Sequence, residues 1–572
     1  DGVGGERTPL VVEESGAGVT THGQDGCANE GAAVSPCGDA SVTVCAVEGE
    51  VQGGQYGSLV GYCFILNYIL GVGVLGVPKA FEEAGIVFGP IFLLTVSVIA
   101  LMTIFWMLEI LARGNAVMNA RVGAKEAAEL GQVGALSPPS ASSQEGLSLL
   151  DADYQNPTCQ RHQHPPDFSL RRRLEVNRLV NLFLGKWAKI AYEVSVGLYL
   201  YGALWSYSAV FGQSLTRNVP LPLSGSWETC DVYSNSSWTC HWQYVIWVAV
   251  FSLVVVPLSC VELHEQKAVQ VCMSVLRFVA LFLMIFLTMA NIWADPYSQQ
   301  ENDSHVNDGK EPPYYGTFFL IQLAGIPLIV PVALYSQICH HSVPGLALPI
   351  FQHNKLLKVF TAVVLTTFTF YCTLGVVMVL YYGENVLPTC SLNFNYYRGG
   401  SENGTPVWAI IVSNFLVLFP AIDVLSAYPL NALTLGNNLK VAFVPKNTTT
   451  QVKVLFRLLA SLPPILGSMV VNKLDTILQY TGLTGFFIAF IGPALLQVWS
   501  RRRLRLAFAP YKHQLQHSRR GGQDDVSHHS DPSWTPFSGR WSSDWLCWSV
   551  LVFSGVCLVG SLAGMIANVR PQ

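Results

Sequence analysis

The sequence predicts an all-α polytopic membrane protein of eleven transmembrane helices: a 5+5 inverted repeat plus one extra helix. Three observations carry this. Of 572 residues, 51% are hydrophobic and only 12% charged, where a soluble domain carries about 25% charged residues; the mean hydropathy is +0.37. After residue 57 the chain divides into eleven apolar stretches, most of them near the roughly 20 residues that cross a bilayer. The first and sixth stretches, five helices apart, are interrupted by glycine and proline. These residues cost about 1 and 3 kcal/mol inside a helix, and hydrocarbon offers no water to the backbone groups they free.

Taken in order, residues 1–57 are rich in Gly, acidic residues and Ser/Thr. They cannot bury enough apolar surface to offset chain entropy and read as a disordered cytoplasmic tail. The chain opens at Asp1 with no apolar signal core before residue 57, as a trimmed or partial chain would. Residues 58–113 hold span 1 (58–80), broken at Gly71, Gly73 and Gly76 and ended by Pro78, and span 2 (88–112). Residues 114–186 form a long cytoplasmic loop whose "LSPPSASSQEGLS" is low-complexity and reads as disorder. Within it, Leu174, Val176, Leu179 and Leu182 recur at helical spacing among arginines, which suits a helix on the inner leaflet or a lead-in to span 3. Spans 3 to 10 fill 187–499, as 187–213, 243–262, 268–293, 315–339, 356–383, 407–429, 453–471 and 477–499. Span 6 is interrupted at Gly325-Ile326-Pro327 and Pro331. Residues 500–544 read as a second disordered cytoplasmic loop, and 545–572 hold span 11 (545–567) and the C-terminus.

Two signals orient the bundle. With a cytoplasmic tail, the loops after the even-numbered spans carry Arg171 to Arg173, Lys267, Lys355, Lys358, Lys440, Lys446 and Arg501 to Arg503, the positive-inside bias. The opposite loops carry the Asn-x-Ser/Thr sequons at Asn235, Asn302 and Asn403, where glycosylation is expected; the sequon at Asn447 falls on the cytoplasmic side. Cys230 and Cys240 bracket Asn235 in one lumenal loop, as a disulfide or as two free thiols. Cys27, Cys37 and Cys45 of the tail should be reduced. Plasma membrane and endolysosomal membrane fit equally.

A net charge of −4 without a basic block excludes a nucleic-acid partner. No Ser/His/Asp or paired-carboxylate arrangement suggests an enzyme, and neither metal-ligand spacing nor a cofactor motif is present. Paired broken segments in corresponding halves point instead to a transporter whose site lies between them. There, unwound N–H groups at Gly71, Val72, Gly73 and Val74 would bind a substrate carboxylate. Tyr201, beside Tyr199 and Gly202, together with Pro331 and Tyr335, would shape the side-chain pocket. Intramembrane charges mark function by default, and three lie at depth: Glu193, Arg277 and Asp423. Arg277 could neutralise Asp423 beside Asn67; Glu193 has Lys189 four residues earlier on its own helix. His340 and His341, at the cytoplasmic exit of span 6, read as solvated surface.

"NYILGVGVLGVPKAFEEAG", "ALYSQICHHSVPG", "FPAIDVLSAYPLNALTLGNN" and "YTGLTGFFIAFIGPALL" together resemble the amino acid/auxin permease family, from about Leu59 to the last span. The resemblance implies a LeuT-like core of ten helices plus an eleventh and secondary active transport of small amino acids. By the same resemblance, Asn67 matches an asparagine near the coupling ion of sodium-coupled members. Where those members place a sodium-binding hydroxyl, this chain has Asp423 and Ser426, so protons are favoured over sodium as the symported ion. The expected function is amino acid transport by alternating access. The alternative is a non-transporting membrane receptor or scaffold that senses an amino acid; protein partners are not specified.

Overall fold

The computed structural model describes residues 56–132, 166–222, 230, 232, 237–260, 267–294, 319–397, 399, 405–444, 449–508 and 531–569. All four sequons and the tail cysteines lie outside them. Among the described residues, ten helices are long and apolar enough to cross a membrane, and a bent pair makes the eleventh span.

That pair is α1 (Ser58–Ile69) and α2 (Gly73–Ala84), which meet at 55°. Pro78 lies inside α2 and does not end span 1, since a membrane helix tolerates the one hydrogen bond a proline removes when neighbours re-satisfy the backbone. The end comes at Gly85, at φ +97°, where a Cβ would stand 2.6 Å from the Leu320 carbonyl oxygen. Only glycine meets both conditions.

Span 2 is α3 (Phe88–Gln132), which continues well beyond residue 112; at 1.5 Å per residue its 45 residues reach about 68 Å. The amphipathic segment forms α4 (Val176–Leu184), stopped by Gly185 at φ +94°. It does not rest on lipid. Its apolar residues Val176, Leu179, Val180 and Phe183 are buried, and Leu179 and Leu174 fill the space beside Gly114 of α3. Spans 3 to 5 are α5 (Lys186–Asn218), α6 (Trp238–Cys260) and α7 (Lys267–Ala294).

Span 6 departs from its expected geometry. Gly325-Ile326-Pro327 opens α8 (Ile326–Tyr335) instead of breaking it, because a proline in the first turn loses no hydrogen bond. Pro331 is carried inside the helix. The interruption falls at residues 336–339, before a short turn (His340–Ser342) and α9 (Val343–Ala347). Then follow α10 (Leu356–Tyr382), α11 (Val407–Phe443), α12 (Thr450–Val470), α13 (Leu474–Phe486), a π turn (Phe487–Ile491) running into α14 (Gly492–Ala507), and α15 (Asp544–Val569). The expected disordered loop 500–544 is partly ordered: α14 runs to Ala507, and Asp531 accepts hydrogen bonds from Arg505 and Ser533.

The bundle has a basic end, where Arg171, Lys355, Lys358, Arg502 and Arg503 are exposed, and a disulfide end, where Cys230 and Cys240 are joined with Cα atoms 5.7 Å apart. Exposed tryptophans ring both: Trp238, Trp242, Trp293 and Trp408 at the disulfide end, Trp187, Trp545 and Trp548 at the basic end. Such belts sit at the two lipid headgroup levels.

Candidate functional site

The site begins with backbone. At the end of α1, Leu70 N–H reaches Leu66 O at 2.8 Å and Gly71 N–H turns back to Ile69 O at 2.8 Å. At the start of α2, Val74 N–H bonds Gly71 O at 3.4 Å and Leu75 N–H bonds Val72 O at 3.1 Å. The amides of Val72 and Gly73 stand outside this series, at the positive end of α2. Tyr371 of α10 donates to Ile69 O at 3.1 Å and fixes the end of α1.

The glycines of the break differ. A Cβ on Gly71 would meet only the Tyr207 hydroxyl, at 3.8 Å, whereas one on Gly73 would press on the Tyr335 ring at 3.0 Å and Ser336 Cα at 3.2 Å. Tyr335, the last residue of α8, is thus seated on the break, with its hydroxyl 3.4 Å from Ser206 Oγ and its ring 5.6 Å from that of Tyr199.

Tyr201 is elsewhere. Its hydroxyl donates to Leu459 O on α12 at 2.7 Å, so the expected pocket role is corrected. Successive residues of a helix turn by about 100°, so Tyr199 and Tyr201 cannot share a face; the residues that do return to the break are Ser206 and Tyr207, seven and eight positions after Tyr199. Sequence reading missed both, although that spacing could have found them. Pro331 also serves packing: its carbonyl oxygen lies 2.2 Å from where a Cβ on Gly482 would sit, so only glycine allows α13 to approach α8 so closely.

Arg277 and Asp423 meet across α7 and α11. Arg277 Nε donates to Asp423 Oδ1 at 2.7 Å, and a terminal nitrogen lies 2.7 Å from the same oxygen. The other terminal nitrogen donates to Asn67 Oδ1 at 2.5 Å and to the Asn67 carbonyl oxygen. Both side chains are at most 10% exposed. Ser426 turns its hydroxyl onto the Asp423 carbonyl of its own helix at 2.8 Å. A cavity beside the break is bounded by Gly71, Val72, Val74, Arg277 and Asp423, with apolar walls that include Met284 and Phe419. Five candidates therefore share one space.

The remaining candidates are local or displaced. Glu193 pairs with Lys189 at 3.5 Å on its own helix. His340 and His341 do not form a solvated pair, because the chain after α8 folds back into the bundle and leaves His340 buried and His341 half-buried. His340 is wholly buried, with Nε2 2.8 Å from Thr103 Oγ1 and 3.2 Å from Ala100 O; His341 Nε2 lies 2.6 Å from the Tyr68 hydroxyl. Four buried charges went unseen in the sequence: Arg217, Arg457 and, deepest, Glu109 and Arg113, which pair at 2.5 Å on α3. Among the described residues, no cluster of three His, Cys, Asp or Glu could hold a metal.

Residues 57–506 match the family described as transmembrane amino acid transporter protein. The chain is 26% identical to a transmembrane protein 104 homolog of Dictyostelium discoideum, over 89% of this chain and 97% of that one. It is also 26% identical to transmembrane protein 104 of Homo sapiens, over 80% and 90%. Among solved structures it resembles MhsT in complex with L-phenylalanine, at 11% identity and a TM-score of 0.47, over 90% of this chain and 99% of that chain. With the family match over residues 57–506, most of its length, the chain belongs to the transmembrane amino acid transporter protein family.

Proposed function

We propose that this transporter is a secondary active carrier of small amino acids, working by alternating access and coupled to protons in preference to sodium. The substrate carboxylate rests on the Val72 and Gly73 amides, where an anion meets unpaired donors and the positive end of α2. The observation that carries the coupling is the Arg277 guanidinium. Three oxygens, two from Asn67 and one from Asp423, converge on it. Oxygen-rich sites of that kind suit a hard cation; a tethered one already fills this place. Arg stays protonated at any working pH, so Asp423 is the member of the pair able to exchange a proton. On protonation it releases Arg277, and with it the contact between α1, α7 and α11. Purified protein in vesicles is expected to take up a labelled amino acid pool under an imposed proton gradient and not under a sodium gradient. Sodium-driven uptake would overturn the coupling, and binding without flux under either gradient would favour the sensor.

A further inference from the structure

Two small backbone ladders join span 1 to span 6, one at each end of the bundle. At the basic end Tyr56 N–H donates to Pro349 O at 3.0 Å and Phe351 N–H donates to Tyr56 O at 3.1 Å, forming an isolated parallel β-bridge between Tyr56 and Ile350. Ser58 Oγ adds a bond to Gln352 Oε1 at 3.1 Å. At the disulfide end Gln322 N–H donates to Ala84 O at 2.9 Å, Ile86 N–H to Phe319 O at 2.9 Å and Val87 N–H to Leu320 O at 3.1 Å. Close approach is built in there: a Cβ on Gly325 would stand 2.2 Å from the Glu83 carbonyl oxygen. The residue before span 1 is therefore tied to those after span 6, and the residues after span 1 to those before span 6.

The bonded residues lie almost entirely outside helices, so breaking either ladder unwinds none. The basic-end ladder holds two backbone bonds and the disulfide-end ladder four, Phe88 N–H also reaching Leu320 O at 3.4 Å; at about 1 kcal/mol net apiece they are strong enough to set a resting state and weak enough to open on the μs–ms scale of gating motions. Between the ladders, span 1 is interrupted at residues 70–72 and span 6 at residues 336–339, which separates α1 from α2 and α8 from α9. One half of a span can then pivot while the other stays fixed. Deeper in the same half, beside the two breaks, a side-chain latch joins the end of α1 to the turn after α8: the Tyr68 hydroxyl accepts from Ser342 Oγ at 2.7 Å and bonds His341.

We infer that the two ladders are the doors of this protein, each holding one end of the span 1 and span 6 pair shut, and that the molecule described here has both doors closed. This inference rests on the alternating-access reading, in which one door opens at a time. Two native thiols report on it. Cys339 lies beside the latch, between Tyr335 and His341, and is fully buried; Cys390, also fully buried, lies in a turn packed on α2 beneath the other door.

The test uses full-length protein in nanodiscs, with alkylation rates at Cys339 and Cys390 read separately by mass spectrometry. Phe351→Pro deletes a donor from the basic-end ladder and should raise alkylation of Cys339 roughly fivefold to tenfold, as the loss of one bond of about 1 kcal/mol predicts, with Cys390 unchanged. Ile86→Pro should do the reverse. Linking Ser58→Cys to Gln352→Cys with a short cleavable reagent should suppress Cys339 alkylation and stop uptake until the link is cut. The inference is overturned if either proline variant exposes both thiols together, or if the linked protein transports at the unlinked rate. Thiols that respond separately in a protein with no uptake would uphold the doors and sink the carrier reading instead.

Discussion

Glu109–Arg113 and Arg277–Asp423 are both buried ion pairs, but the first joins residues four apart on one helix and the second crosses from α7 to α11. The Glu109 carboxylate is saturated: it accepts from Arg113, from Gln497 at 2.9 Å, from Ser538 at 3.0 Å and from Ser542 at 2.5 Å. Arg113 spends its other donors on Ser533 O, Gln497 and Ser500. The pair thereby fastens the segment before α15 into the groove between α3 and α14, and Trp106 adds a bond to Trp541 O. Arg277–Asp423 borders a cavity and an unwound backbone, and its third partner, Asn67, sits beside the hinge of span 1. A fully satisfied pair on one helix has nothing to gain from movement. A pair shared by three elements changes whenever one of them shifts.

The largest expected effect separates the two pairs. Glu109→Gln leaves Arg113 buried without its counter-charge, which typically costs about 3–5 kcal/mol; the thermal transition should fall sharply, and any surviving uptake should keep its pH profile. A stable protein with an altered profile would contradict the fastener reading. Next is Asp423→Asn, expected to damage stability by a similar amount alone but much less together with Arg277→Gln, since replacing both members of a buried pair is often near neutral. The double variant should fold and bind substrate yet lose its response to an imposed pH gradient. A double-mutant cycle run beside uptake at two pH values decides this, and additive single effects would deny the coupling.

A smaller contrast lies within the break. Gly73→Ala must displace Tyr335 and should cost about 1–3 kcal/mol in the manner of overpacking. Gly71→Ala meets only the Tyr207 hydroxyl, at an ordinary contact distance of 3.8 Å, and should leave stability within about 0.5 kcal/mol while weakening amino acid binding. Equal stability of the two variants would remove Tyr335 from its seat on Gly73. A further small effect belongs to Asp531. Burial raises its carboxyl, but hydrogen bonds from Arg505 and Ser533 outweigh this and hold it near about 2. A depressed carboxyl stabilises fully above its unfolded value near about 4 and loses that contribution as the pH falls toward 2. Because the site is partly exposed, Asp531→Asn should cost at most about 1 kcal/mol at neutral pH, a difference that should fade in melts below pH 4.

The spans were legible in the sequence because length and apolarity are dictated by the bilayer, and the break of span 1 because three glycines within six residues have few other uses there. The break of span 6 was not: Pro327 and Pro331 draw the eye, yet a proline in the first turn costs nothing, and residues 336–339 contain neither Gly nor Pro. Arg277 and Asp423 were visible as costly charges at depth. Glu109 and Arg113 were not, because they fall at the expected edge of span 2, where charges are ordinarily wet. What buries them is a segment more than 400 residues later, and pairing over that distance leaves no local mark.

The tryptophan belts have a consequence for spectroscopy. The exposed indoles lie at the two headgroup levels, while none lines the cavity beside the break. Intrinsic fluorescence will therefore be dominated by groups that sense lipid polarity. An amino acid that binds without moving helices should leave the emission nearly unchanged, and one that opens a door should shift it. Quenching by lipids brominated at known depths would assign that shift to one leaflet, so the protein's own indoles can show which end of the bundle has moved.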